Sequence, residues 1–183
     1  ILILALIGPG PLLDAFVAAF RLPNLFRRFL AEGAFNAAFV PMYAKRAEAG
    51  ADADDFAREA FGGLSAVVLV LVALGMVFMP ALVWATAEGF RGDERFDLAV
   101  GFGRIVFPYI LFMSLAALFS GVLNANGRFA AAAAAPVLLN IFAIGAMTLG
   151  ALTGGAVITW LLWAIPLAGA AQLALVWRAA EKA

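Results

Sequence analysis

Long uncharged apolar stretches alternate with short polar intervals along this chain, at a spacing that predicts membrane-spanning helices. Residues 60–87 are uncharged, 98–124 carry only Arg104, and 129–177 are uncharged throughout. A spanning helix needs about 20 mostly apolar residues. The last stretch is therefore too long for one span, and the small residues from Gly150 to Gly155 divide it in two. Before these lies a segment from Leu12 to about Tyr43, apolar but studded with charges. Ahead of that, Gly8-Pro9-Gly10-Pro11 is a turn signal that closes a short apolar run from Ile1 to Ile7. The run is too short to span and has no basic stretch before it, so it is not expected to be a signal peptide. It is expected to be the tail of a spanning helix whose start lies upstream. The charged helix end Ala179-Ala180-Glu181-Lys182-Ala183 suggests that the other terminus is cut as well.

The predicted fold is an all-α, polytopic transmembrane helical bundle: one truncated helix and five complete ones. The expected spans are 1–8, 12–43, 60–87, 98–124, 129–150 and 155–178. Polar loops are expected over 45–59 and 88–97, with a tight turn at Asn126-Gly127-Arg128. Short loops make sequential spans antiparallel. Ala130 to Ala135 is of low complexity, and such small residues permit close helix packing.

Composition supports the membrane reading. Hydrophobic residues make up 66% of the 183 and charged ones 13%, against about 45–50% and 25% in soluble domains. The 12 basic and 12 acidic residues balance, so nothing points to nucleic acid. There is no cysteine and no histidine. That excludes disulfides, thiolate metal sites and any Ser-His or Cys-His nucleophile. No cofactor is implied.

Charge also predicts orientation. Lys45, Arg46, Arg58, Arg128, Arg178 and Lys182 fall on one side of the bundle. Arg91 and Arg95 fall on the other, beside Glu88, Asp93, Glu94 and Asp97. The excess of Lys and Arg places the first set, and the missing N-terminus, in the cytoplasm. Trp177 beside Arg178 suits an interfacial anchor.

One span breaks the apolar rule. On a helix turning about 100° per residue, Asp14, Arg21, Arg28 and Glu32 share a stripe of roughly 40°, with Asn24 at its flank. Arg27 points about 100° away from Arg28, but Pro23 removes a backbone hydrogen bond and can kink the helix, which changes that register. A charge at membrane depth costs at least about 2.5–3.5 kcal/mol on insertion scales. Arginines repay that cost if they face a wet cavity, where their planar forks hold phosphate oxygens bidentately. Two other readings stand beside this one. The segment can lie in the membrane surface, with Phe16, Phe20, Phe26 and Phe29 inward and its arginines at the headgroups. Arg28 and Glu32 can instead form a structural pair one turn apart. Arg104 either faces a cavity or reaches outward. Pro108, Pro136 and Pro166 read as kinks or helix entries, and Asn124, Asn126 and Asn140 as caps or interhelical bonds.

The run from Asp14 to Pro41, with Arg21-Leu-Pro-Asn-Leu-Phe-Arg-Arg28 and Ala31-Glu-Gly-Ala-Phe-Asn36 at its centre, resembles the signature of the MurJ/MviN family of lipid II flippases. A second stretch agrees: Phe107-Pro-Tyr-Ile-Leu-Phe-Met-Ser, Gly121-Val-Leu-Asn124, Arg128-Phe129, Ala135-Pro136 and Leu139-Asn140-Ile141. The resemblance covers nearly the whole chain in order. It is weakest in the final span, where it rests on position, Gln172 and the basic end.

The resemblance implies a piece of a two-lobed, fourteen-helix transporter of the MOP exporter superfamily: the end of helix 1 through helix 6 of the N-terminal lobe, in the bacterial inner membrane. It implies alternating access, in which lipid II enters a central cationic cavity from the cytoplasm and leaves on the periplasmic side. The drive is the membrane potential or a coupling ion, with no ATP site and no enzymatic chemistry. By the same resemblance Arg27 matches a required cavity arginine, Asp14 a functionally important acid and Asn24 a polar cavity position. Arg28 and Glu32 belong to the motif, and Arg21 stands where relatives carry Lys or Arg. The alternatives are another MOP-type exporter, for drugs or polysaccharide lipids, or an intramembrane enzyme acting on a polyprenyl phosphate. Such an enzyme usually needs clustered Asp, Glu or His, whereas the intramembrane charges here are mainly Arg.

Overall fold

The computed structural model describes residues 2–30, 34–50 and 52–182, with side chains for all of these except 27–30 and 34–36. Among the described residues there are nine α-helices and no strand. They are α1 (Leu2–Ile7), α2 (Pro11–Leu30), α3 (Ala34–Glu48), α4 (Ala53–Val77), α5 (Met79–Thr86), α6 (Glu94–Val106), α7 (Tyr109–Ala125), α8 (Phe129–Leu152) and α9 (Val157–Ala180), with a 3-10 turn at Glu88–Phe90. Four helical segments are long and apolar enough to cross a membrane: Ala53–Val77, Glu94–Ala125, Phe129–Leu152 and Val157–Ala180.

The helix ends depart from the expected spans for identifiable reasons. The interval 45–59, expected as a polar loop, is mostly helical: α3 runs to Glu48 and α4 starts at Ala53. Its Lys, Arg, Glu and Ala residues are good helix formers, so polarity there marks where the chain leaves the apolar zone, not where the helix stops. Gly50 makes the sharp connection with φ +63°, a left-handed conformation natural to glycine. The segment 12–43 is divided between α2 and α3, and its charges keep it out of the four apolar spans. Residues 60–87 are divided too, because α4 ends at Val77 and α5 starts again at Met79 with Pro80 in its first turn. Proline fits a helix start, where its missing N–H has no intrahelical partner. Pro108 similarly separates α6 from α7.

Apolar burial holds these pieces together. α7 lies among α3, α4, α8 and α9, while α2 packs along α6 and α8 along α9. The main core gathers Phe39, Val68, Met79, Phe107, Ile110 and Leu118, all nearly inaccessible. Close helix approach depends on glycine. A Cβ at Gly75 would run into the ring of Phe107, and one at Gly103 would sit 2.6 Å from the Met79 sulfur.

The connections sort to the two ends of the bundle. At one end an arginine at the start of α6, Arg95, meets Asp14 of α2 at 3.3 Å. At the other, Asn126 donates to the Tyr43 hydroxyl at 3.3 Å, and Arg128 donates to the Lys182 carbonyl.

Candidate functional site

The site residues read from sequence centre on α2, which has two unlike faces. Ala15, Phe16, Ala19, Leu22 and Pro23 are buried, and Phe26 meets Phe107 edge-on at 5.5 Å between ring centres. Pro23 lies inside the helix without ending it. On the opposite face Asp14, Val17, Arg21 and Leu25 are exposed, and Asn24 is half-buried between the two faces. Seven residues of helix rise about 10 Å, so Asp14 and Arg21 sit about two turns apart on one side. Arg27 and Arg28 belong to the last turn of α2, but their side chains lie outside the described ones, and Glu32 lies outside the described residues altogether.

Asp14 has a partner that sequence reasoning missed. Its Oδ2 accepts from Nη1 of Arg95 at 3.3 Å. Arg95 also donates from Nε to Asp93 Oδ2 at 2.7 Å and lies over the Phe90 ring at 4.7 Å from its centre. Asp93 in turn caps α6, accepting from the backbone N–H of Arg95 at 3.2 Å. The Arg95 side-chain hydrogen bond holds the Asp93 carboxyl below its ordinary value. One guanidinium thus joins the start of α2, the cap of α6 and the preceding turn. The signal is not local: the partners stand 81 residues apart.

Arg21 differs. Among the described residues it makes no ion pair and no hydrogen bond. A desolvated charge needs a partner or water, so this face of α2 suits a wet compartment. The exposed guanidinium presents its forked donors to whatever fills that space, and the geometry suits oxygens of a phosphate or carboxylate.

Arg104, the remaining charge deep in an apolar span, is also exposed, and its Nε donates to the Met76 carbonyl at 3.2 Å. That carbonyl is the one an unbroken helix would satisfy from residue 80, and residue 80 is proline. The freed acceptor is therefore supplied by an arginine from the neighbouring helix. A buried polar contact lies between α7 and α9, where the Tyr109 hydroxyl donates to Gln172 Oε1 at 3.5 Å. Gln172 is 2% exposed, and its Nε2 finds no hydrogen-bond partner among the described residues.

Comparison with known proteins agrees over the whole length. The family model described as lipid II flippase MurJ matches residues 3–182. A probable lipid II flippase MurJ of Rhizobium tropici is 48% identical over 183 residues, covering 96% of this chain and 34% of that protein. The corresponding protein of Rhizobium meliloti is 46% identical, covering 98% of this chain and 35% of its own length. A lipid II flippase MurJ of Burkholderia cenocepacia is 42% identical, with 90% of this chain and 33% of that protein covered. Among solved structures, a lipid II flippase MurJ in an inward closed conformation superposes with a TM-score of 0.78 at 26% identity, covering 97% of this chain and 37% of that one. The chain spans about a third of the length of these relatives.

Proposed function

This chain belongs to the lipid II flippase MurJ family, and on that premise we propose that the protein carrying it moves lipid II from the cytoplasmic to the periplasmic leaflet. The observation that carries the reading is the outward face of α2, where Arg21 stands exposed with no ion pair or hydrogen bond among the described residues. The substrate is a polyprenyl pyrophosphate bearing a sugar-peptide headgroup. Its pyrophosphate is the part that arginine forks recognise, while its headgroup needs the water that such a wall admits.

In this reading Arg21, Asn24, Arg27, Arg28 and Glu32 line one wall of a central cavity, with Arg27 the principal phosphate contact. Asp14 lies at the mouth of the same wall. Its bond to Arg95 fixes the outer end of α2 on α6, so that the wall moves as one body with its lobe during alternating access. The rest of the cavity is contributed by parts of the protein outside this chain. A coupling ion or the membrane potential provides the drive, without enzymatic chemistry on the lipid. The cation-rich end, with Lys45, Arg46, Arg58, Arg128, Arg178 and Lys182, faces the cytoplasm of a bacterial inner membrane.

Cells depleted of their own flippase test this. The complete open reading frame should restore growth and the exposure of lipid II at the outer surface. Arg27→Ala in the same frame should accumulate in the membrane yet abolish both. Failure of the intact protein overturns the flippase reading, and full activity of Arg27→Ala overturns the role of Arg27. For orientation, a cysteine at Gly92 should label from outside and one at Asp54 should not.

A further inference from the structure

A cavity of about 550 Å³ opens at the cation-rich end of the bundle, between the ends of α3, α4, α7 and α9. It lies on the side of the molecule opposite Asp14 and Arg95, and none of the α2 residues described above borders it. Its inner wall is aromatic. Phe119 and Trp177 stack with their planes 7° apart and centres 5.9 Å apart, and Phe61 meets both at 5.5 and 6.1 Å. Its mouth carries Asp54, Arg58 and Glu181. Arg58 bonds Asp55 at 3.4 Å, but that pair is largely solvent-exposed. Asp54 and Glu181 have no ion-pair partner among the described residues, although half of the 12 basic residues lie at this end of the bundle.

We propose that this cavity binds a phosphatidylethanolamine headgroup, with the ammonium held by Asp54 and Glu181 and the phosphate by Arg58. Three features favour that occupant over others. Two carboxylates without an ion pair, beside stacked aromatic rings, are the acceptor set that recognises an ammonium. Arg58 at the same mouth supplies the opposite charge, so a ligand bearing both signs is matched better than an anion or a cation alone. The aromatic wall continues inward from the mouth and offers apolar surface to the first carbons of an acyl chain, at the depth where Trp and its like collect in membranes. The site stands on this cavity alone, and neither its success nor its failure depends on which lipid the protein flips.

Native mass spectrometry of the full-length protein, titrated with phosphatidylethanolamine or phosphatidylglycerol, tests the assignment. The parent should retain the ethanolamine lipid roughly fivefold better, which is the scale of one ammonium–aromatic and carboxylate contact. The Asp54→Asn/Glu181→Gln double variant changes two exposed side chains and should fold normally, and its preference should fall to about one. Trp177→Leu should weaken both lipids together. No preference in the parent, or a preference that survives in the double variant, overturns the proposal. Equal competition by soluble phosphoethanolamine, which lacks acyl chains, overturns the lipid as the occupant.

Discussion

α2 and α8 both present a broad exposed side, and the two sides are made of different residues. α8 exposes Phe129, Val137, Ile141, Ile144, Leu149 and Leu152, with no charge in the helix. α2 exposes Leu12, Val17 and Leu25 as well, but threads Asp14 and Arg21 among them. Exposure alone therefore does not say what a helix faces. An uncharged face of this length suits acyl chains, which offer a charge nothing. A face whose arginine has no partner among the described residues suits water, headgroups or an anionic ligand. The contrast separates an uncharged exposed face from a charged one within a single chain.

Moving a charge between the two faces gives the largest expected effect. Ile141→Arg places a charge on the uncharged face of α8 and should cost roughly 2.5–3.5 kcal/mol of insertion free energy, seen as loss of membrane accumulation. Val17→Arg, one helical turn from Arg21, should leave accumulation near the parental level. Equal loss in both variants would mean that α2 also faces lipid, and the cavity reading of its stripe would fall.

The bundle architecture was legible because lipid imposes a simple rule: about 20 apolar residues per span and charges at the ends. That rule is blind to helix ends. Lys45, Arg46 and Glu48 continue α3 because they are good helix formers, whatever their depth. The stripe of α2 was half legible. Periodicity put Asp14 and Arg21 on one side, and the structure exposes both. It did not show that Asp14 is tied to Arg95, because that partner looked like one more loop charge among acids. The sequence reads two ways at Arg104, since its partner is a backbone carbonyl and no side-chain pattern announces it. Arg27, Arg28 and Glu32 rest on the resemblance and the helical register.

Arg104 gives an intermediate effect and an exposed charge of a third kind, one whose donor is spent on the protein's own backbone. Arg104→Leu leaves the Met76 carbonyl without its donor, and an unsatisfied acceptor costs about 1–3 kcal/mol. Pro80→Ala restores an N–H at the position that would serve that carbonyl. The double variant Arg104→Leu/Pro80→Ala should therefore recover part of the thermal stability that Arg104→Leu loses. If it recovers nothing, the arginine acts through some contact other than the freed carbonyl.

The smallest effect belongs to the paired end of α2, where the charges are exposed and screened. Asp14→Asn should change stability only slightly, and a double-mutant cycle with Arg95→Ala should give a coupling that weakens further in high salt. The Asp93 cap adds a pH signature with a definite sign. Its carboxyl is held below the ordinary value of 3.8 by the Arg95 hydrogen bond, so the folded state favours the charged form. The contribution is complete above that ordinary value and is lost as pH falls through the lowered folded one. The stability gap between the parent and Asp93→Asn should stay constant from about pH 7 to about pH 5 and close only in stronger acid. A gap that begins to close near neutral pH would place the titration elsewhere, and Arg95 would then hold α2 and α6 together without the help of the cap.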